Sequence, residues 1–180
     1  MCGICGAVGI RQAAPVVFEG LRRLEYRGYD SAGIATLVDG SVERRRASGK
    51  LDNLHALLEN SPLTGTTGIG HTRWATHGAP TTCNAHPHGT SRVAIVHNGI
   101  IENFETLRRE LENVGQVFET ETDSETIALL VDYHLQQGLP PKDAALQALR
   151  RLEGAYAVAM IFAGHDGLII GACHNAPLAV

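Results

Sequence analysis

The second residue of the chain is a cysteine, and its position allows a particular kind of nucleophile. Removal of the initiator methionine, which is common before a small residue, would leave Cys2 with a free α-amino group. Because an α-amino group has a pKa of about 7.7–8.0, it can accept the thiol proton near neutral pH, as in hydrolases with an N-terminal threonine. The simpler alternative is that Cys2 is a small buried residue of the first strand, and position alone favours that alternative.

A polar block at 71–78, HTRWATHG, follows a predicted strand and leads into a long loop. Binding groups are often presented where a strand meets a loop. Arg73 can bind a carboxylate through two parallel hydrogen bonds. The alternative for an arginine beside Trp74 is stacking at the surface, which is common.

Two further positions could serve the same chemistry. Asn98 and Gly99 follow a short predicted strand, and a side-chain amide beside a backbone N–H is typical of an oxyanion hole. The alternative there is an ordinary Asn-Gly hairpin turn. Asp123 lies at the predicted start of a helix, where a carboxylate normally caps the helix. It could also bind a substrate ammonium group if each carboxylate oxygen has one partner.

Histidine and cysteine, the usual ligands of zinc, make a metal site the runner-up hypothesis. Five histidines fall between residues 71 and 97, with Cys83 among them. Their spacings match no structural zinc pattern, and an extended 86–88 segment (HPH) cannot easily direct both rings at one ion. Cys2 and Cys5 have CxxC spacing, but alternate residues of a strand face opposite sides, so we expect no metal or redox site there.

Composition indicates one globular domain with a substantial core, since the chain has 180 residues of which 44% are hydrophobic. The formal net charge of −4 gives no electrostatic footprint for nucleic acid, and we expect the cluster Arg44–Arg46 to be a solvated edge. No apolar run is long enough to span a bilayer, and no basic-then-apolar leader begins the chain. We therefore expect a cytoplasmic protein with reduced cysteines.

Hydrophobic periodicity predicts strands that alternate with helices. Strands are predicted at 3–10, 31–38, 42–47, 66–74, 93–96, 156–162 and 168–170. Helices are predicted from residue 15 to about 28, at 51–58, from 104 to about 114, from Thr122 or Asp123 onward, and at 143–152. The hairpin signal Asp39-Gly40 indicates antiparallel pairing, and helices must cover sheet faces to bury their apolar stripes. The pattern therefore favours a layered α+β sandwich over a doubly wound parallel fold.

Six blocks of sequence occur together and in one order. They are CGI at 2–4, RGYDSAG at 27–33, HTRWATHG at 71–78, NAHPH at 84–88, HNGIIEN at 97–103 and ETDSE at 121–125. This combination resembles the class II glutamine amidotransferases, whose nucleophile is the N-terminal residue. Within that class it is similar to the glucosamine-6-phosphate synthase family, and the resemblance runs from Cys2 to about Leu178.

The resemblance implies a four-layer αββα sandwich of the N-terminal nucleophile hydrolase type and a glutamine amidohydrolase that needs no cofactor. It implies that Cys2 is the nucleophile and that its own amine is the base. Asn98 and the backbone of Gly99 would form the oxyanion hole.

The same resemblance implies how L-glutamine is held. Arg73 would bind the α-carboxylate with help from Thr76 and His77, and Asp123 would bind the α-ammonium group. Trp74 would act as a gate between the glutaminase site and an ammonia channel.

The resemblance also predicts what lies beyond this chain. Residues 1–180 would form a single glutaminase domain that lacks its last strands, and the sugar-phosphate isomerase domain of the longer enzyme would be its partner. An open sheet edge could then lead to homo-oligomers.

The run CHNAPL at 173–178 departs from the residues that are usual for the family at this position. The remaining alternative is a catalytically silent fragment that binds glutamine or a partner.

Overall fold

The computed structural model describes residues 2–9, 11–75 and 78–180. The strands are β1 (Gly3–Val8), β2 (Ser31–Val38), β3 (Ser41–Ser48), β4 (Thr67–Arg73), β5 (His88–Gly89), β6 (Val93–Ile101), β7 (Gly154–Phe162) and β8 (Ile170–His174). The helices are α1 (Ala13–Leu24), α2 (Leu51–Asn60), α3 (Phe104–Asn113), α4 (Asp123–Gln136) and α5 (Pro141–Leu149), and a short 3₁₀ turn (Glu25–Arg27) follows α1.

The strands form two antiparallel sheets of four strands each. The first sheet has the order β1-β4-β2-β3 and the second has the order β5-β6-β7-β8. The hairpin between β2 and β3 turns at Asp39 and Gly40, which both have positive φ, 49° and 77°. Two positive φ values suit the right-handed twist of the flanking strands, and the predicted turn is confirmed.

Three apolar layers hold four layers of secondary structure together. Helices α1 and α2 cover the outer face of the first sheet through residues such as Leu21, Leu54 and Ile34. Helices α3, α4 and α5 cover the second sheet. Between the sheets lies a layer of alanine and branched aliphatic side chains, namely Ala35, Leu37, Ile69, Ala94, Val96, Ala159 and Ile161. The predicted αββα sandwich is thus confirmed.

Most element bounds follow the hydrophobic pattern, but strands differ where polar residues enter the sheets. The last strand was predicted at 168–170, whereas β8 spans Ile170–His174. Strand β2 covers the predicted residues 31–38, whereas β6 was predicted to end at Val96 and continues to Ile101. The extension occurs because β7 pairs with β6 along its whole length, from Val93↔Phe162 to Ile101↔Gly154. Strand β5 has only two residues and lies within the segment predicted as a loop.

The arginine cluster on β3 is not the solvated edge that the sequence predicted. Arg46 donates from Nη1 to the carbonyl oxygens of Cys83 and Ala85, at 2.9 and 3.1 Å. Arg45 points to the other side of the strand and donates from Nε to the backbone oxygen of Ser61 at 2.9 Å. Arg46 therefore binds the segment after β4 to the first sheet, and Arg45 binds the end of α2 to it.

Among the described residues, no helix combines the length and the apolar character needed to cross a bilayer. All four cysteines are free thiols.

Candidate active site

A cavity of about 960 Å³ opens beside the ends of β1, β4 and β6 and the N-terminus of α4. Its volume is in the range typical of small-molecule sites. It is lined by every predicted site residue that the structure describes: Cys2, Arg73, Trp74, Asn98, Gly99 and Asp123. Thr76 and His77, predicted to help bind a carboxylate, lie outside the described residues.

The Cys2 thiol is placed by strand pairing. Gly3 pairs with Thr72 across β1 and β4, so the residue before Gly3 comes to lie beside the end of β4. The backbone N–H of Trp74 donates to Cys2 Sγ at 3.2 Å. The thiol in turn lies 3.6 Å from the carbonyl oxygen of Trp74, so both backbone groups of that residue hold the sulfur at the end of β4. Cys5 lies on the other face of the sheet and packs with the core beneath α1.

Asn98 and Gly99 belong to strand β6, so the alternative of a hairpin turn at these residues is wrong. They pair with Ala157 and Tyr156 of β7. Burial along β6 changes at this point, because His97 is buried, Asn98 is half-buried and Gly99 is exposed. Asn98 Nδ2 donates to the carbonyl oxygen of Cys2 at 3.5 Å, which brings the amide beside the thiol-bearing residue.

Arg73 is the last residue of β4, and its side chain is only 5% exposed. Its guanidinium donates to the backbone oxygens of Ala79 and Gly78, at 3.2 Å each, and lies 4.0 Å from the carboxylate of Asp30. A guanidinium carries five N–H donors in a planar fork. Carboxylate binding is the chemistry that this rigid fork suits best.

Asp123 is the first residue of α4, but Thr122 caps the helix, since its hydroxyl accepts from the backbone N–H of Glu125 at 3.3 Å. The Asp123 carboxylate is buried and turns toward the end of β6, where Oδ2 accepts from the N–H of Ile101 at 3.0 Å. The hydroxyl of Ser124 is a long 3.4 Å from Oδ1. One oxygen is therefore used structurally, and the other can accept from a cation in the cavity.

The block at 27–33 supports the segment that carries Trp74. The indole ring lies over Gly28, where an added Cβ would come within 2.7 Å of the ring. The backbone N–H of Asp30 donates to the carbonyl oxygen of Arg73 at 2.7 Å, and its carboxylate accepts from the N–H of Ala75 at 2.5 Å. Trp74 itself is 54% exposed at the mouth of the cavity.

Four buried histidines lie at or beside the cavity, and the sequence suggested them only as ligands of the alternative metal site. They are His71, His86, His88 and His97. Burial lowers the pKa of His71 to about 3, and it lowers the pKa values of the other three as well. These rings are therefore neutral near pH 7.

The rings bind one another and the polar groups around them. His71 stacks on His86 with centroids 4.1 Å apart, and His86 meets His88 edge-on at 4.6 Å. His97 Nδ1 lies 2.8 Å from the Ser124 hydroxyl. Over the described part of the chain, no three side chains of His, Cys, Asp or Glu are grouped as ligands of one metal ion.

The alternation along β4 was the signal that could have revealed His71. Residues 69, 71 and 73 face the second sheet, whereas an added Cβ at Gly70 would meet Val17 of α1 at 2.4 Å. Because residues two apart in a strand lie on one face of the sheet, His71 and Arg73 are on the same face, and His71 could have been assigned to the site with Arg73.

Curated relatives match the chain along its whole length. It is 71% identical to glutamine–fructose-6-phosphate aminotransferase (isomerizing) from Gluconobacter oxydans and 59% identical to the protein of that name from Mesorhizobium japonicum. All of this chain is covered in both cases, but it spans only 30% of the length of each relative.

Solved structures share the fold. Glutamine phosphoribosylpyrophosphate amidotransferase from B. subtilis matches with a TM-score of 0.75 and 30% identity, over 90% of this chain and 35% of that chain. A class II glutamine aminotransferase domain protein from Silicibacter pomeroyi is only 19% identical, with a TM-score of 0.55 over 82% of this chain and 70% of that chain, so it supports the fold alone.

A family model described as a glutamine amidotransferase domain matches residues 78–172, which is more than half of the chain. That segment includes Asn98, Gly99 and Asp123 of the cavity. The chain therefore belongs to the glutamine amidotransferase domain family.

Proposed function

We propose that this chain hydrolyses the side-chain amide of L-glutamine to glutamate and ammonia, with Cys2 as the nucleophile. The observation that carries the proposal is the single cavity in which Cys2, Asn98, Gly99, Arg73 and Asp123 meet. A thiol, an amide donor, a cation and an anion are the four kinds of group that such a reaction uses.

Arg73 and Asp123 are suited to bind the two charged ends of the amino acid. Both are nearly buried, so their charges are little screened by water. A substrate bound at its α-carboxylate and α-ammonium groups presents its amide carbon to the thiol in a fixed orientation, and orientation of this kind can lower the barrier substantially. The same two contacts select an amino acid over a simple amide.

The reaction then needs two proton transfers by the terminal amine. The amine takes the thiol proton, and Cys2 Sγ attacks the amide carbon to form a C–S bond and a tetrahedral oxyanion. Asn98 Nδ2 and the Gly99 N–H stabilise that oxyanion. The C–N bond breaks as the amine returns the proton to the departing nitrogen, and ammonia leaves. Water then cleaves the thioester, releasing glutamate and restoring the thiol.

In a longer enzyme such as the full-length relatives, the ammonia would pass to an acceptor bound by another domain. The relatives' name indicates that this acceptor is fructose 6-phosphate, which would become glucosamine 6-phosphate. Trp74, exposed at the mouth of the cavity, is suited to gate that passage. A cytoplasmic location, a sugar-phosphate isomerase domain as the partner and association into homo-oligomers belong to this same proposal.

The test is glutamate release from glutamine by wild-type protein and by Cys2→Ala. We expect the Cys2→Ala rate to fall by more than about 10⁴-fold, because loss of a nucleophile removes the covalent route. Cys173→Ala is the matched control, since its thiol is exposed and does not line the cavity; it should keep the wild-type rate. Intact-mass measurement on each sample establishes whether Met1 has been removed.

Three other results would count against the proposal. Equal turnover by Cys2→Ala would reject the mechanism. Glutamine binding without turnover, in protein that lacks Met1, would favour a silent binding domain. Stoichiometric zinc in the purified protein would favour the metal-binding alternative.

A further inference from the structure

His71 contacts the predicted oxyanion-hole residue directly. Its Nε2 atom lies 2.7 Å from Oδ1 of Asn98. The two residues come from different sheets, β4 and β6, and the ring is fully buried between them. Neither the family comparison nor the proposed mechanism gives His71 a task.

This contact fixes which end of the Asn98 amide faces the thiol. An amide oxygen only accepts hydrogen bonds, so His71 must donate from Nε2. The NH₂ group of Asn98 is then left to point the other way, toward Cys2, where Nδ2 is 3.5 Å from the Cys2 carbonyl oxygen. If the amide were reversed, it would present its oxygen to the developing oxyanion and repel it.

The surrounding histidines keep the His71 ring in place. His71 stacks on His86 with an interplanar angle of 24°. His86 is held in turn, because its Nδ1 accepts from the backbone N–H of His97 at 3.3 Å. Burial keeps His71 neutral, and a neutral ring has one donor and one acceptor nitrogen. A ring that cannot rotate and carries its proton on Nε2 holds the amide in one orientation.

We propose that His71 is a positioning residue for the reaction, which orients the Asn98 amide so that its N–H groups face the oxyanion. This inference rests on the proposed glutaminase function. It predicts a loss of transition-state stabilisation when the Nε2 donor is removed, with little change in the binding of glutamine itself.

The first test compares His71→Leu with His71→Gln. Leucine fills similar space without a donor, whereas the glutamine amide can donate from nearly the position of Nε2. We expect His71→Leu to lower kcat by about 10²-fold, the size of effect for one lost oxyanion donor, with KM within about threefold of wild type. His71→Gln should recover most of kcat. His134→Leu on α4, outside the cavity, is the matched control and should keep the wild-type rate.

A double-mutant cycle separates positioning from general damage. In an Asn98→Ala background, His71→Leu should have almost no further effect on kcat, because the amide that it orients is gone. A second full loss of about 10²-fold in that background would overturn the proposal, and so would unchanged kcat in His71→Leu itself.

The ring's protonation state gives a readout that needs no turnover. In protein labelled with ¹⁵N at histidine, long-range ¹H–¹⁵N spectra should show His71 neutral with its proton on Nε2 from pH 5 to 8. A proton on Nδ1 would overturn the inference even if the protein is an active glutaminase. An inactive wild type with the Nε2 proton in place would reject the proposed function and leave the orientation of Asn98 supported.

Discussion

Gly99 shows how tightly the backbone is packed at the cavity. Its φ is +122°, a value that L side chains rarely adopt. An added Cβ would lie 2.1 Å from the carbonyl oxygen of Ala155 and 2.8 Å from Cα of Tyr156, both backbone atoms of β7. Backbone atoms of a central strand cannot move aside without breaking the β6–β7 ladder.

Gly99→Ala should therefore lower the free energy of unfolding by about 2–5 kcal/mol, from φ strain and overlap together. Gly138→Ala is the control, since Gly138 also has positive φ, +85°, but no neighbouring atom within 4 Å of the added Cβ. That variant should lose only about 1 kcal/mol. Urea unfolding of both proteins measures the difference, and equal losses would show that overlap at Gly99 is relieved.

Asn98-Gly99 also marks the limit of what sequence could predict at single residues. A positive φ at glycine is what an Asn-Gly hairpin turn requires, and Gly99 has a positive φ inside a strand. Pairing with β7, residues 154–162, identifies the segment as a strand, and this pairing is not visible in the sequence. The site residues were predicted from short sequence motifs, whereas the contact between His71 and Asn98 depends on how the two sheets pack on each other.

At the scale of elements, helix α4 is joined to the segment before it by one buried side chain. The Glu125 carboxylate accepts from the backbone N–H of Glu119 at 2.9 Å, and from both the N–H and the hydroxyl of Thr120, at 2.8 and 2.7 Å. Thr122 and Glu125 have the spacing of a capping box, but only half of one forms: Thr122 accepts from the Glu125 N–H, while the Glu125 carboxylate turns to residues 119–120. This arrangement fixes the N-terminus of α4, where Asp123 lies.

Glu125→Ala should destabilise the protein by about 2–4 kcal/mol, because it leaves the buried N–H of Thr120 and the partly buried N–H of Glu119 without their acceptor. Amide exchange at Glu119 and Thr120 should speed up more than exchange in the middle of α4. The control is Glu105→Ala, whose exposed ion pair with Arg109 spans 3.6 Å, and a change within about 0.5 kcal/mol is expected there. Equal effects of the two substitutions would contradict a special role for Glu125.

Element types were predictable because most elements bury one apolar face, as α1 does with Val17 and Leu21. Exposure was harder to predict than element type, as the arginines of β3 show. The arginines of β3 face a segment that is distant in sequence, and Arg46 donates to carbonyl groups of residues 83 and 85. A polar residue on a strand predicts solvent exposure unless its partner is known, and the partner comes from tertiary structure.

At the scale of the whole molecule, the layer between the sheets changes character along its length. Its apolar part contains alanine and branched side chains such as Ile69 and Val96. Toward the cavity the same strands carry His71 and His97 instead, both almost fully buried. The sandwich therefore encloses neutral imidazoles where a purely apolar core would otherwise continue. As a result, the free energy of unfolding should depend on pH.

Stability should fall steeply as the pH drops below about 6.5. Burial lowers the pKa of His71 to about 3 and lowers those of His86, His88 and His97, so the unfolded chain, with ordinary histidine pKa values of about 6.5, binds more protons below that pH. The stabilisation is complete above about pH 6.5 and is lost as the pH falls toward the folded-state pKa values. Each histidine contributes a slope of up to about 1.4 kcal/mol per pH unit.

Urea unfolding at pH 7.5, 6.5 and 5.5 measures this slope, and we expect an uptake of about three to four protons on unfolding at pH 5.5. His88 Nε2 lies 3.2 Å from the Thr122 hydroxyl. His88→Gln should reduce the uptake by about one proton, because glutamine can still bond to that hydroxyl but does not titrate. An uptake below one proton in the wild type would mean that the buried rings are charged or hydrated in the folded protein, and would contradict a sandwich closed around neutral histidines.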